Sequence, residues 1–314
     1  MRIDGFKSIC RMTQKELKAH LVKELKKTYN AVVEDDGFVY AQGNVPILLL
    51  AHMDTVHKTP PKKFVFKNGK LSSPQGIGGD DRCGIFMIMD IIKTHKCSVL
   101  FLEDEECGGI GACKFVKHPL SDGLEFNYLI ELDRRDSKDA VFYECDNPEF
   151  EDFITKDGDW ISAWGSYSDI CDIAPALGCA AVNLSCGYHA AHTPQEYVVI
   201  SEMEENIKKV CKLIERTTEN DKFEYIEAEY YGGYYSQYGF GASSYNKTNK
   251  YSYEEDELHV FVFTYVDDNN YTQYEELAAA NYYEAVGMFL VDHQSLRFDD
   301  IIEIEDYGAD PYAI

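Results

Sequence analysis

Four apolar runs of strand length constrain this chain most: Pro46–Ala51, Ser98–Leu102, Asn127–Leu132 and Ala180–Ser185. Their hydrophobicity is nearly continuous rather than alternating, the pattern of strands covered on both faces. The segments between and after them carry helical patterns, over 81–95, 108–117, 148–155 and 201–217. Strands alternating with helices predict an α/β fold, a doubly wound and mainly parallel sheet with helices on both faces. Thr13-Gln-Lys-Glu16 is a capping box that opens a helix with Leu17, Leu21 and Leu25 on one stripe. Ala31–Val33 and Phe38–Tyr40, joined through Asp35-Asp-Gly37, read as a hairpin, as does the stretch near Phe64–Leu71. A further strand is expected at 140–144.

Each run is followed closely by acidic or histidine residues. His52 and Asp54 come after the first, Glu105 and Glu106 after the second, Asp133 after the third and His192 after the fourth. Asp80 and Asp81 open the segment Asp80-Asp-Arg-Cys-Gly-Ile-Phe-Met-Ile-Met89. Open α/β sheets take ligands at the carboxyl ends of their strands. Imidazoles and carboxylates gathered there suit divalent cations such as Zn²⁺. Two such ions, sharing one carboxylate and one water, generate a nucleophile at neutral pH. That inventory points to a metallohydrolase. Asp54, two residues beyond His52, lies on the same side of an extended segment and can accept the second imidazole N–H. Glu105 and Glu106 are adjacent and point differently, so one can bind metal while the other works as general base and acid.

Charge narrows the partners. The formal net charge is −25. Residues 221–314 hold 20 Asp/Glu against 4 Lys/Arg, and no basic patch stands out in the chain. Such a surface repels phosphate backbones and anionic lipid, so neither nucleic acid nor membrane is expected as a partner. No run approaches the roughly 18 apolar residues of a membrane helix. The start, Met1-Arg-Ile-Asp-Gly-Phe-Lys, lacks an apolar signal segment. The ten cysteines have no Cys-x-x-Cys spacing and stop at Cys211, which suits buried, reduced thiols and a cytoplasmic location. Composition changes after Thr218. The expectation is a catalytic domain over 1–218, then an acidic, Tyr-rich region over 219–314 comprising a linker and a small α+β module. In that module Leu258–Val266 reads as a strand, Thr272 as the cap of a helix running to about Val291, and Asp300–Ile304 as a last strand.

Five blocks carry a family resemblance: Ala51-His-Met-Asp-Thr-Val56, Gly79-Asp-Asp-Arg-Cys-Gly84, Asp104-Glu-Glu-Cys-Gly-Gly109, Glu131-Leu-Asp133 and Ala191-His-Thr-Pro-Gln-Glu196. In this order they resemble the signature blocks of the co-catalytic di-zinc exopeptidases. That group includes tripeptidase T-like enzymes and leucyl and glutamyl aminopeptidase-like enzymes. The resemblance covers about residues 15–217. It implies His52, Asp80 and Asp133 on one metal, and Asp80, Glu106 and His192 on the other. It also implies Glu105 as general base, Asp54 as the orienter of His52, and two Zn²⁺, with Co²⁺ or Mn²⁺ as substitutes. Asp at position 133 leans towards an aminopeptidase acting on small peptides. The same site could serve N-acyl or other amides, and a binding protein on a peptidase fold is the non-catalytic alternative. Tripeptidase T and the carboxypeptidase relatives insert a lid domain between the third carboxylate and the last histidine. Here only residues 134–191 lie there, and they must also supply two strands and a helix, so a lidless architecture is implied. Tyr188 is then a candidate oxyanion stabiliser. A Ser-Asp turn, here Ser168-Asp169, is expected to line the substrate cleft.

Other readings of nearby residues are plainer. His57 and His189 read as support for the site or as solvent-facing. Ser166, Ser168 and Asp169 lack the glycine pattern of a nucleophile elbow. Gly76-Ile-Gly-Gly79 lacks dinucleotide-loop spacing and reads as a tight turn delivering Asp80. Asp81 is expected to be structural or to cap the following helix, and Met87 and Met89 to be core. The sequence leaves the oligomeric state open.

Overall fold

The computed structural model describes residues 2–228, 259–266, 271–279, 289 and 301–309. The chain divides into two units, Met1–Ala228 and Glu229–Ile314. Helices α1 (Arg2–Cys10) and α2 (Gln14–Leu25) come first, then strands β1 (Val32–Asp35), β2 (Phe38–Ala41), β3 (Val45–His52), β4 (Val65–Lys67) and β5 (Lys70–Ser72). Next are α3 (Gly79–Ile91), β6 (Cys97–Leu102), α4 (Ile110–Lys117), β7 (Tyr128–Arg134), β8 (Asp139–Val141), α5 (Pro148–Thr155) and β9 (Ile161–Ala163). The first unit closes with α6 (Ile170–Leu177), β10 (Ala181–Ser185), β11 (Tyr188–His189), β12 (Tyr197–Val199) and α7 (Ile200–Arg216).

An eight-stranded sheet in the order β1-β2-β6-β3-β7-β10-β8-β9 organises this unit. Its centre, β6-β3-β7-β10, is parallel throughout. The period of two along each central strand divides the core between the sheet's faces. Ile47, Leu49, Val99, Phe101, Tyr128 and Ile130 join one cluster with residues of α1, α2, α3, α5 and α7. Leu48, Leu50, Leu100, Leu102 and Leu129 join the other with residues of α4 and α6. Continuous hydrophobicity in these runs thus follows from helices on both sides, and the doubly wound reading holds. Met87 is fully buried and Met89 packs against the same core.

Local signals placed several elements. Thr13 and Glu16 form the reciprocal capping box at α2, and Leu17, Leu21 and Leu25 are buried. The β1–β2 hairpin turns at Asp36-Gly37, between the paired residues Asp35 and Phe38, with Gly37 at φ 93°, a conformation that favours glycine. Residues 134–191 contain β8, α5, β9, α6, β10 and β11, with β8, β9 and β10 in the main sheet and β11 in a second, smaller one; no separate domain is inserted there. A second sheet, β11-β12-β5-β4, gathers short strands from either side of α3 and the main sheet's far half. Past α7 the chain still follows the first unit, where Cys179 bridges to Glu224 and Cys145 to Glu227. All ten cysteines are free thiols, six of them buried. Among the described residues no helix is long and apolar enough to cross a membrane.

In the second unit β13 (His259–Val266) lies between β14 (Thr272–Ala279) and β15 (Ile301–Ala309), antiparallel to both. The helix predicted from Thr272 is therefore corrected: Thr272–Ala279 is a strand, paired residue for residue with Val266–His259. Its Glu, Leu and Ala favour helix, but β13 carries the apolar face, with Phe261 and Phe263 buried, and its edges need hydrogen-bond partners. Residues 280–288, also within that predicted helix, lie outside the described residues. Phe289 is helical and stacks on Phe263 with ring centroids 4.4 Å apart.

Candidate metal centre

Register brings the site together. His52 ends β3 and pairs in parallel with Leu102, the end of β6, so the turn carrying Glu105 and Glu106 leaves the sheet beside it. Leu50 pairs with Glu131 on β7, which sets Asp133 level with His52. Asp80 enters at the start of α3, directly after the glycine turn, and the peptide joining it to Asp81 is cis. His192 stands on the loop between β11 and β12, with φ 61°. Asp104, before the two glutamates, has φ 60°. Left-handed conformations at non-glycine residues are sparsely populated and cluster at functional sites.

All five sequence-predicted ligands converge. His52 Nε2 lies 3.0 Å from Asp80 Oδ1 and 3.4 Å from Asp133 Oδ1. His192 Nε2 lies 3.1 Å from Asp80 Oδ2 and 3.1 Å from Glu106 Oε1. Donor atoms at Zn²⁺ sit about 2.0–2.2 Å from the ion, so neighbouring corners of its tetrahedron are roughly 3.4 Å apart. These separations fit two sets of donors that meet at Asp80. His52, Asp80 and Glu106 offer ligand atoms within 4.8 Å of one another, as do His52, Asp81 and Asp133. In the second group Asp81 is turned to the backbone. It accepts from Gly84 N at 2.8 Å and from His52 N at 3.3 Å, and so caps the regular part of α3 that follows the non-helical Asp80 and Asp81.

Behind the candidate ligands, side chains hold them in place. Asp54 Oδ1 accepts from His52 Nδ1 at 3.0 Å and from Glu105 N at 3.1 Å, and its Oδ2 accepts from Glu106 N at 3.0 Å. One carboxylate therefore orients the imidazole and fixes the turn bearing both glutamates. Asn183 Oδ1 accepts from Asp133 N at 2.9 Å. Tyr188 donates its hydroxyl to Asp133 O at 3.0 Å and Oδ1 at 3.3 Å, and is buried. Ser168 and Asp169 are buried as well: Ser168 donates to Glu131, and neither Asp169 oxygen has a hydrogen-bond partner. His57 bonds Glu196 behind Asp80, while His189 lies between Asp136 and Glu202.

The electrostatics record a surplus of carboxylates around two imidazoles. Burial opposes charge on His52, yet Asp133, Asp54 and Asp80 raise its pKa well above the usual imidazole value. Hydrogen bonds to Asp80 and Glu106 push His192 up to about 10. Burial would raise Asp80, but the two imidazoles pull it below the ordinary carboxylate range. Asp54 is partly buried and still lowered, by His52 and the two amides. Glu105 is pushed up to about 7 by burial, against the pull of His52 and with added repulsion from Glu106, Asp80 and Asp54. Burial raises Glu131 to about 8, and raises Asp133 and Asp169 well above the usual range. Cations would balance this surplus, and binding them releases protons.

Sequence reasoning missed Glu131, Asn183 and Glu196 as supports. The first two had a signal, since each is a polar residue inside an otherwise apolar strand. Glu196 stands at the end of a quoted block without any local pattern.

No protein-family model and no curated protein matches the chain. Solved structures do. The aminopeptidase PepT from Bacillus cereus matches with a TM-score of 0.57 at 15% identity, over 68% of this chain and 97% of that one. A tripeptidase from Staphylococcus aureus matches with a TM-score of 0.54 at 15% identity, over 68% and 96%. The chain has the fold of these peptidases. A glutaminyl cyclase from Tannerella forsythia is similar too, with a TM-score of 0.50 at 13% identity, over 69% and 96%. The common architecture is the parallel sheet flanked by helices, and the C-terminal edge of that sheet is where the donor atoms of this chain meet.

Proposed function

We propose that this chain is a metal-dependent exopeptidase, an aminopeptidase that hydrolyses short peptides. The observation that carries this reading is Asp80, whose two oxygens face two different imidazoles, each accompanied by a further carboxylate. His52, Asp133 and one oxygen of Asp80 would hold one divalent cation, zinc in the first instance, and His192, Glu106 and the other oxygen a second. Bound there, the pair would polarise a scissile carbonyl and lower the pKa of a shared water.

The chain's own groups do the rest. Glu105 Oε2 lies 3.9 Å from His52 Nε2, at the edge of the donor cluster, and its raised pKa suits proton transfer near neutrality. It removes a proton as the water oxygen bonds to the carbonyl carbon. The same proton passes to the leaving nitrogen as the C–N bond breaks. Asp54 keeps the His52 Nδ1–H pointed inward, which leaves Nε2 free to act as a donor. Tyr188, with its hydroxyl on Asp133, acts as a support for that ligand. The carboxylate-rich surround favours the cationic amino terminus of a peptide.

The test is a substrate panel with and without a chelator: free-amine di- and tripeptides, their N-acetylated counterparts, and a peptide beginning with glutamine. Cleavage of the free-amine peptides alone, abolished by chelation and restored by zinc, is expected. Turnover confined to the acylated set would make the chain an amide hydrolase. Cyclisation of the glutamine peptide without hydrolysis would make it a cyclase, and inertness of the metal-loaded protein towards the whole panel would remove the enzymatic reading.

A further inference from the structure

The glycine turn before Asp80 does more than change direction. Glu196, fully buried, accepts from three donors around that turn: Asp80 N at 2.9 Å on Oε1, and Gly78 N at 2.8 Å and His57 Nε2 at 2.8 Å on Oε2. The glycines make room for this arrangement. A Cβ on Gly76 would strike the His57 ring, and one on Gly79 would lie 3.1 Å from Glu196 Oε1 and 2.9 Å from both Tyr188 Cβ and Val198 Cγ2. Gly76 and Gly78 also have φ of 80° and 66°, which favour glycine. The carboxylate has a firm base, because Tyr197 begins β12, which pairs with β5 and β11 in the second sheet. Glu196 also ends the loop that carries His192, so one side chain ties that loop to the backbone of Asp80.

We propose that Glu196 is the positioning residue of the metal-bridging aspartate, with His57 fixing its carboxylate, so that it sets how Asp80 meets both cations. This rests on the metal-centre reading above. Carboxylates that hold ligands in place commonly change metal affinity 10–100-fold when removed. Gln at this position keeps the size but offers one acceptor oxygen, and turns an NH₂ donor towards N–H groups.

The experiment uses the full chain, stripped of metal and titrated with Co²⁺, comparing wild type with Glu196→Gln. Expected are a 10–100-fold weaker binding isotherm and a changed visible cobalt absorption spectrum in a variant whose circular dichroism matches wild type. A role in folding alone would lower the melting temperature and leave the spectrum of the loaded protein as it was; an unchanged isotherm and spectrum overturn the proposal. If Glu196→Gln does not fold, His57→Leu removes one donor from the same carboxylate and should weaken binding at least threefold, with wild-type binding again overturning the proposal. A wild-type chain that binds no cobalt would overturn the metal centre itself, an outcome distinct from equal binding by wild type and variant.

Discussion

The two oxygens of Asp80 face opposite partners: Oδ1 lies 3.0 Å from His52 Nε2, and Oδ2 lies 3.1 Å from His192 Nε2. His52 closes a central strand, whereas His192 stands on a loop of the second sheet. A carboxylate shared between imidazoles from two separate parts of the fold is the arrangement a pair of cations needs, and a solvated surface aspartate does not provide it.

Glu105→Gln separates proton transfer from metal binding. The substitution keeps the size and the Asp54 bond to the backbone of residue 105 but removes the base. Since general bases contribute about 10²–10⁴-fold, kcat should fall by that factor while two ions per chain remain. Retention of more than a tenth of the rate would exclude the role.

His192→Ala should leave one ion per chain, counted by mass spectrometry after dialysis, because Glu106 and one oxygen of Asp80 then lack their nitrogen partner. Two ions retained would remove His192 from the ligand set.

Asp54→Ala acts on both halves of the site. It frees the His52 ring and the amides of Glu105 and Glu106. Metal affinity should drop 10–100-fold, read by competition with a chromogenic chelator. Unaltered affinity would mean that packing alone holds the imidazole.

Activity should fall on the acid side. Glu105 works as a base only when ionised, and its pKa is raised to about 7. Each pH unit below that pKa costs a factor of ten in the ionised form, and bound cations can only lower the midpoint. A profile of kcat/KM with unit slope and a midpoint at or below about 7 is expected, and one that rises towards acid pH would contradict the assignment.

Gly84→Ala tests how α3 is seated. In an exposed helix this change adds about 1 kcal/mol of stability. Here a Cβ would run into the Leu132 carbonyl of β7 and the Asp81 carboxylate. The melting temperature should fall instead of rising.

Much of this was legible because the signals were local. The run ending in Ala51 announced both a buried strand and the candidate ligand that follows it, and the Thr13–Glu16 box announced where α2 begins. Short elements carried no such signal: β11 and β12 span two and three residues, too few for any period to show. His57 and Glu196 lie 139 residues apart, so nothing local in either segment reveals that they meet. Thr272–Ala279 failed for the opposite reason: its helical composition was clear, but pairing with β13 prevailed over it.

Metal counting on Asp80→Ala bears most directly on the shared carboxylate. Wild type, loaded with zinc and dialysed, should hold two ions per chain by mass spectrometry, and the variant should lose affinity for both together while keeping a wild-type circular dichroism spectrum. A folded variant that still holds two ions, or a wild-type chain that holds none, would contradict the account.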